Sequence, residues 1–236
     1  MTKKVSIHQP QYFTWLGLLH KIANSDLFVI LDNVQFTKRD YQHRCMYSTQ
    51  KGPKYLTIPV NAKNHQIDHL EIRNLLFAES QNIILEHHFQ TLRHRYNKTP
   101  GWSQCKDRLH HLLLESHYNT VYDLIFESML FTFDLYKMDV TYIKASDLNT
   151  RGTKDELMLN ITKEVDGDIY LSGMGAKGYM RDEIFDNAGI KVEYQQFTQP
   201  EYPQSHGGNF VKGCTALDFY FEAPNEAMKY AENFLW

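Results

Sequence analysis

The stretch KVSIHQPQYFTWLGLLHKIANSDLFVILD, residues 4–32, decides the fold. Its first residues have the pattern of a short buried strand that ends at Pro10, and Leu16, Leu19 and Ile22 then recur at helical spacing. The run DLFVILD is continuously apolar over the length of one strand, which is typical of a parallel sheet covered on both faces. A strand, a helix and a strand within about 30 residues predict a βαβ unit.

The rest of the chain continues this pattern around a helical block. Between about residues 80 and 137, apolar residues recur three and four apart, and KTPGW separates two of the helices. Strand patterns occur in KYLTIPV before this block and in VTYIKAS, DIYLSG and IKVEYQQF after it, and the C-terminal segment is helical with a break at Pro224. We predict an α/β fold with a Rossmann-like, mostly parallel sheet, in which residues 1–236 form a single domain with a helical insertion at about 80–137.

The composition excludes several classes of protein. A net charge of −3 with mixed signs argues against binding to nucleic acid through bulk electrostatics. Cys45, Cys105 and Cys214 lie far apart without a CxxC pair, so neither a zinc site nor a disulfide framework is expected. There is no apolar run of the roughly 18 residues that a membrane span needs, and no signal peptide pattern. We expect a cytoplasmic protein with a small-molecule substrate, without a membrane span, a nucleic-acid partner or a metal site.

Bulky polar and aromatic residues follow the first strand. His8 and Gln9 stand at its carboxyl end, where ligands bind in open α/β sheets. A histidine there can act as an acid or base, and Tyr12 and Trp15 can stack on a ligand. The alternative is a tight turn whose histidine is satisfied by the backbone and whose aromatic rings pack beneath it.

A second polar cluster, LDNVQFTKRDYQHR, follows the second strand. Its basic side chains suit a diphosphate or carboxylate, and its amides suit hydroxyl groups. The alternative is a solvated loop of mixed charge. The candidate residues of this segment are Asp32, Gln35, Lys38, Arg39, Gln42 and Arg44.

Two later segments add candidates for ligand contacts. YLSGMGAKGYM has the pattern of a strand, a glycine-rich turn and a helix start, where backbone N–H groups and a lysine could hold an anion. The segment QPEYPQSHGGNF is predicted to be a long loop, whereas Asp218 is interpreted as a buried hydrogen-bonding group. The candidates in the two segments are Ser172, Gly173, Gly175, Lys177, Tyr179, Tyr202 and Gln204.

These motifs resemble those of a known family. HQPQYFTWLGLLHKI and DNVQFTKRDYQHR are similar to the opening of the WbqC-like protein family, and SGMGAKGY and YQQFTQPEYPQ are similar to its later segments. The chain departs from the family pattern at Thr14, where proline is usual, at Cys45, where asparagine is expected, and in GCTALDFYFEAPNE. The resemblance implies a role among O-antigen, surface-polysaccharide or natural-product genes, with N-acyl transfer to a nucleotide-linked amino sugar as the expected activity.

A more distant resemblance joins FVILDNVQF and DIYLSGMGAKGY to segments of pantoate–β-alanine ligase, an adenylate-forming amide ligase. It implies that Gln35 contacts an acyl substrate and Lys177 a phosphate. It also places His8 near the signature histidines of the nucleotidylyltransferase superfamily. The paired H-x-G-H motif is absent, because His20 lies twelve residues beyond His8.

The leading hypothesis is an amide-forming N-acyl or aminoacyl transferase in which His8 takes the proton of the amine and Asp32 orients either His8 or the acceptor. Four basic side chains hold anionic groups in this hypothesis: Lys38, Arg39, Arg44 and Lys177. A nucleotide sugar and an acyl carrier protein are the candidate partners. One alternative is a nucleotidyl transferase or adenylate-forming ligase, which alone would use ATP and magnesium as cofactors. The other is a non-catalytic protein that binds a sugar nucleotide.

Overall fold

The computed structural model describes residues 2–61 and 70–234. Within these ranges the strands are β1 (Lys4–His8), β2 (Leu27–Ile30), β3 (Arg44–Thr49), β4 (Gly52–Thr57), β5 (Tyr142–Lys144), β6 (Ile169–Ser172) and β7 (Lys191–Tyr194). The α-helices are α1 (Leu16–Ala23), α2 (Gln81–Tyr96), α3 (Pro100–His110), α4 (Val121–Leu135), α5 (Lys154–Glu164), α6 (Asp182–Asp186), α7 (Ala216–Glu222) and α8 (Pro224–Glu232). None of the described helices is long and apolar enough to cross a bilayer.

The main sheet is parallel and confirms the predicted α/β class. Its strand order is β5-β2-β1-β6-β7, and every neighbouring pair is parallel. From β1 at the centre, the chain adds β2 and β5 on one side and then crosses to add β6 and β7 on the other. The strand order therefore reverses between β1 and β6. This reversal is the topological switch point, beside which open α/β sheets bind their ligands.

Both faces of the sheet are covered, which explains the continuously apolar strands. Val5 and Val29 lie in a cluster with buried residues of α5 and with Phe185 of α6. Phe28 and Ile30, which alternate with Val29 along the strand, lie in the larger cluster with α1 and the helices α2 to α4. A strand buried on both faces has no polar alternation, as DLFVILD shows.

The helices α2, α3 and α4 lie between strands β4 and β5 in the chain. Pro100 stands in the first turn of α3, where its missing N–H costs no hydrogen bond. Thr120 and Asp123 form a reciprocal capping box at the start of α4. A π-helical segment, His111–Glu115, follows α3. The reading of this block as an insertion within a single domain stays a prediction.

Two local expectations are corrected by the structure. Arg44, at the end of the predicted binding loop, begins strand β3, which pairs antiparallel with β4 in a separate hairpin. The sequence does not indicate β3 because RCMYST is neither a continuous apolar run nor an alternation of polar and apolar residues. The glycine-rich turn does not open a helix either. It forms a short 3-10 turn, Met174–Ala176, and the five-residue α6 begins only at Asp182.

Candidate functional site

A cleft of about 280 Å³ lies at the switch point of the sheet. The end of β1, the helix α1, the turn after β6 and the segment after β7 form its walls. We name it the switch-point cleft and define it by six of its lining residues: His8, Trp15, Lys21, Gly173, Gly175 and Phe197. Four of these, His8, Trp15, Gly173 and Gly175, are candidates from the sequence.

His8 is held in a neutral form suited to accepting a proton. Its Nδ1 lies 2.8 Å from the carbonyl oxygen of Gln9, and because that oxygen can only accept, Nδ1 carries the hydrogen. The lone pair of the imidazole is therefore on Nε2. Burial, together with the positive charge of Lys21, lowers the pKa of His8 from its ordinary value to about 4. At neutral pH the ring is an uncharged base that faces the cleft.

Lys21 is a cleft residue that the sequence reasoning missed. Its side chain is buried, with 4% of its surface exposed, and its Nζ donates a hydrogen bond of 2.9 Å to the carbonyl oxygen of Ile7. Burial lowers the pKa of this amine to about 7. The pattern LGLLHKIA does not show this burial, because a lysine in an apolar helix can equally extend its amine to solvent.

Aromatic rings form one wall of the cleft. Trp15 contacts Phe197 edge to face, with ring centroids 5.5 Å apart. The indole covers Gly17 so closely that a Cβ there would lie 2.3 Å from a ring atom. Gln195 fixes the opposite segment by donating to the carbonyl oxygen of Gly17 at 2.7 Å and to Nδ1 of His20 at 2.9 Å. The residues Gln195 and Phe197 belong to YQQF, whose role in the site the sequence reasoning did not identify.

The glycine-rich turn forms the other wall and leaves room for a ligand. A Cβ added at Gly173 or at Gly175 would meet no atom within 4 Å. Ser172 is buried at the end of β6. Lys177 and Tyr179 are exposed and do not line the cleft, and the Lys177 ammonium lies 5.6 Å from the centroid of the Tyr194 ring.

Two of the sequence candidates near His8 connect structural elements. The side chain of Gln42 donates to Oε1 of Gln9 at 2.7 Å and accepts the backbone N–H of Thr37 at 3.0 Å, so it ties the loop to the end of β1. Tyr12 is buried in the core, with its hydroxyl 3.0 Å from Nδ1 of His88. It therefore belongs to the packing beneath the first turn.

Asp32 and the basic residues of the second segment stand outside the cleft lining. The carboxylate of Asp32 accepts from the backbone N–H of Ser146 at 2.9 Å and from its hydroxyl at 2.7 Å. The guanidinium of Arg44 donates to the Arg39 carbonyl oxygen and lies 4.4 Å from the centroid of the Tyr55 ring. The remaining members of this segment are exposed: Gln35, Lys38 and Arg39.

Tyr202 and Gln204 take part in a second buried polar cluster, centred on Asp218. They donate to Oδ2 of Asp218 at 2.9 and 3.0 Å, while Ser48 donates its backbone N–H and hydroxyl to Oδ1 at 3.0 and 2.6 Å. The Tyr96 hydroxyl also donates to Oδ1. Asp218 is fully buried, as the sequence interpretation expected, and these five donors surround its carboxylate.

The three cysteines are buried in the described structure, and they have the environment of packing residues. Cys45, Cys105 and Cys214 are buried and unpaired, and burial raises the pKa of each thiol, which disfavours a nucleophilic thiolate. In residues 2–61 and 70–234, no group of three or more His, Cys, Asp or Glu side chains could hold a metal ion.

The fold and the site define a doubly wound α/β protein with a cleft at its topological switch point. The chain belongs to the WbqC-like protein family, whose model matches residues 9–230. It is 29% identical over 230 residues to a Mycobacterium tuberculosis protein named "Uncharacterized protein Rv1507c", and the match covers 97% of each chain. No solved structure matches the chain.

Proposed function

We propose that this protein is an amide-forming N-acyl or aminoacyl transferase, acting in the cytoplasm on an amino sugar or a related amine in surface-glycan or natural-product biosynthesis. Membership of the WbqC-like family supports the pathway class through the resemblance described above. The observation that carries the reaction type is His8, an uncharged imidazole that lines the switch-point cleft and has its lone pair on Nε2.

The proposed reaction needs one base and one activated acyl group. The amine nitrogen attacks the acyl carbonyl carbon, a C–N bond forms, and the bond from that carbon to the leaving group breaks. His8 takes the proton of the attacking amine at Nε2 and returns it to the leaving group, so the imidazole ends neutral. A base whose Nδ1 is fixed by the Gln9 carbonyl oxygen keeps its Nε2 aimed at one point.

The size of the cleft limits what enters it. Its volume of about 280 Å³ lies at the small end of ligand pockets. In the proposal the cleft therefore holds the reacting ends of the two substrates, between Trp15 and the Gly173–Gly175 turn, and not a whole nucleotide or carrier protein. A nucleotide or an acyl carrier protein stays outside, where the exposed side chains of Lys38, Arg39 and Lys177 offer positive charge.

Asp32 and Arg44 act as positioning residues in this proposal. The two hydrogen bonds that Asp32 accepts from Ser146 fix the end of β2 against the turn after β5. The guanidinium of Arg44 holds the carbonyl of Arg39 and so fixes the shape of the basic loop.

The test is the loss of amide formation when His8 is replaced. His8→Gln keeps a hydrogen-bond donor for the Gln9 carbonyl oxygen but removes the base, so we expect turnover to fall about 10²–10⁴-fold while substrate binding remains measurable. The assay combines thioester and acyl-phosphate donors with amino-sugar nucleotides and detects the amide by mass spectrometry. His111→Gln is the matched control, because His111 is exposed and lies outside the cleft lining. Unchanged turnover in His8→Gln would remove His8 from the mechanism.

The same assay separates the two alternative functions. Release of pyrophosphate that depends on ATP and magnesium would establish an adenylate-forming ligase or a nucleotidyl transferase. Thermal stabilisation by a sugar nucleotide without product from any donor would establish a binding protein. Either result would replace the transferase proposal.

A further inference from the structure

The amine of Lys21 is buried without a negative partner. Among residues 2–61 and 70–234, no carboxylate forms an ion pair with it. Its one described hydrogen bond is to the Ile7 carbonyl oxygen, so an ammonium group at this position would have two further N–H donors to offer. A buried ammonium ion without a counter-ion is costly, and proteins rarely keep one without a use for it.

The neighbours of Lys21 supply no negative charge either. On β1 the nearby titratable group is His8, which is neutral at pH 7. On β6 it is Tyr170, whose ring centroid lies 6.0 Å from the Lys21 Nζ. Burial raises the pKa of Tyr170, so this phenol also stays neutral. The Asp40 carboxylate acts on His8, whereas burial is the one cause resolved at Lys21. A ligand that enters the cleft can therefore supply the counter-ion that these neighbours do not give the Lys21 ammonium.

We propose that Lys21 is the counter-ion for an oxyanion, a phosphate or carboxylate group of the ligand that enters the switch-point cleft. The proposal rests on the proposed function in assigning that ligand to the transfer reaction. The anion would lie between the Lys21 ammonium and the two glycines Gly173 and Gly175, where a Cβ would meet no atom within 4 Å and the space is open. The position agrees with the general location of anionic ligands beside the switch point of doubly wound sheets.

The charge state of Lys21 gives a direct readout. Burial lowers the pKa of its amine to about 7, so the group is partly uncharged in the empty protein at neutral pH. An anion that binds the charged form more tightly has to raise this pKa, by one unit for each tenfold preference.

The first experiment is an NMR titration of the full chain labelled with ε-¹³C lysine. The Lys21→Arg variant identifies the Lys21 signal by its loss. We expect a titration midpoint near pH 7 that rises by at least about one unit with saturating anion, measured at matched ionic strength in sodium chloride. Inorganic phosphate and pyrophosphate form one arm and acetate the other. The anions that shift the titration midpoint of Lys21 identify the bound group as a phosphate or a carboxylate. If neither kind of anion shifts the midpoint, the proposal is wrong.

The second experiment compares Lys21→Met with Lys229→Met by thermal melting with and without the same anions. Lys229 is exposed on α8, so Lys229→Met is the control that removes one lysine charge away from the cleft. We expect Lys21→Met to melt at a higher temperature than the wild type, because an unpaired buried amine is replaced by an apolar chain of similar length. We also expect it to lose all stabilisation by the anion, which Lys229→Met retains. Equal stabilisation of the wild type and Lys21→Met by the anion would overturn the proposal.

The outcomes separate this inference from the transferase proposal. Neither experiment needs turnover, so an anion effect at Lys21 without any amide product would retain the site and reject the reaction. Amide formation that depends on His8, with no anion effect at Lys21, would retain the reaction and reject the site.

Discussion

The Asp218 cluster and the switch-point cleft both contain buried polar side chains, but these side chains differ in how many of their hydrogen-bonding groups have partners. Five donors surround the carboxylate of Asp218. In the cleft, Lys21 and His8 each have one described hydrogen bond, and in both cases the acceptor is a backbone carbonyl oxygen. A fully satisfied network fixes the packing around it. Groups with unused donors and lone pairs are instead available to a ligand, so completeness of hydrogen bonding distinguishes the structural site from the candidate functional one.

The position of Asp218 explains why its network has to be complete. Its donors come from β3, from α2 and from the loop before α7, three parts of the chain that are far apart in sequence. Arg95 extends the network by donating to the carbonyl oxygen of Ser48 at 2.8 Å and to Glu222 at 2.6 Å. One carboxylate thus attaches the hairpin and the C-terminal loop to the helical layer.

The largest effect is expected at Asp218. In Asp218→Asn an amide NH₂ replaces one of the two acceptor oxygens and faces either the Gln204 Nε2 or the Ser48 backbone N–H, neither of which can accept from it. We expect the free energy of unfolding to fall by about 3–5 kcal/mol, measured by urea denaturation. Asp186→Asn, at an exposed position on α6, should stay within about 0.5 kcal/mol of the wild type. A small loss in Asp218→Asn would show that hydrogen-bond completeness does not mark the structural site.

Much of the fold was predictable because its signals are local. The buried strand DLFVILD and the helical spacing in LGLLHKIAN gave the βαβ unit, and the strands after the helical block followed the same pattern. The hairpin strand β3 is not predictable in this way, because RCMYST has neither the continuous apolar run of β2 nor a period of two. The glycine-rich turn was assigned to a helix start because sequence does not show how far a helix lies beyond a turn.

The candidate site was predictable only where residues follow the carboxyl end of a strand of the main sheet. His8, Gly173 and Gly175 meet because β1 and β6 are neighbours in that sheet. Lys21 and Phe197 could not be placed from patterns alone, since the first lies within a helix and the second follows an edge strand. Tyr202 and Gln204 looked equally polar in sequence, but only the tertiary packing shows that Asp218 uses them.

A second effect is expected from His88, whose two ring nitrogens are both satisfied, as in the Asp218 cluster. Because the Thr57 carbonyl oxygen can only accept, Nε2 of His88 donates to it at 3.2 Å and Nδ1 accepts from the Tyr12 hydroxyl. Burial lowers the pKa of His88 from 6.5 to about 4. As pH falls from 6.5 towards 4, His88 becomes protonated in the unfolded chain but stays neutral in the folded protein. The free energy of unfolding therefore decreases in this pH window.

His88→Gln should remove this part of the acid sensitivity. Urea denaturation at several pH values between 6.5 and 4 should give a slope of stability against pH that is smaller than in the wild type by up to about 1.4 kcal/mol per pH unit. His94→Gln, at an exposed position of the same helix α2, is the matched control and should keep the wild-type slope. A variant slope equal to that of the wild type would mean that His88 is protonated in the folded protein, and its grouping with Asp218 would be wrong.

The smallest change in stability is expected in the cleft, from Gly17→Ala. A Cβ at residue 17 would lie 2.3 Å from the Trp15 indole, so the ring has to move away from Phe197. Overpacking of this kind costs about 1–3 kcal/mol, and the higher helix propensity of alanine offsets about 1 kcal/mol of it. The net loss should be about 1 kcal/mol, measured by urea denaturation.

Binding should respond far more than stability, because the displaced ring is a wall of the switch-point cleft. We expect Gly17→Ala to change the tryptophan fluorescence and to abolish stabilisation by the anion that binds at Lys21. Gly178→Ala, where a Cβ would meet no atom within 4 Å, should change neither. If Gly17→Ala kept full anion binding, the Trp15 wall would be packing alone, and the functional part of the cleft would reduce to His8, Lys21 and the glycine turn.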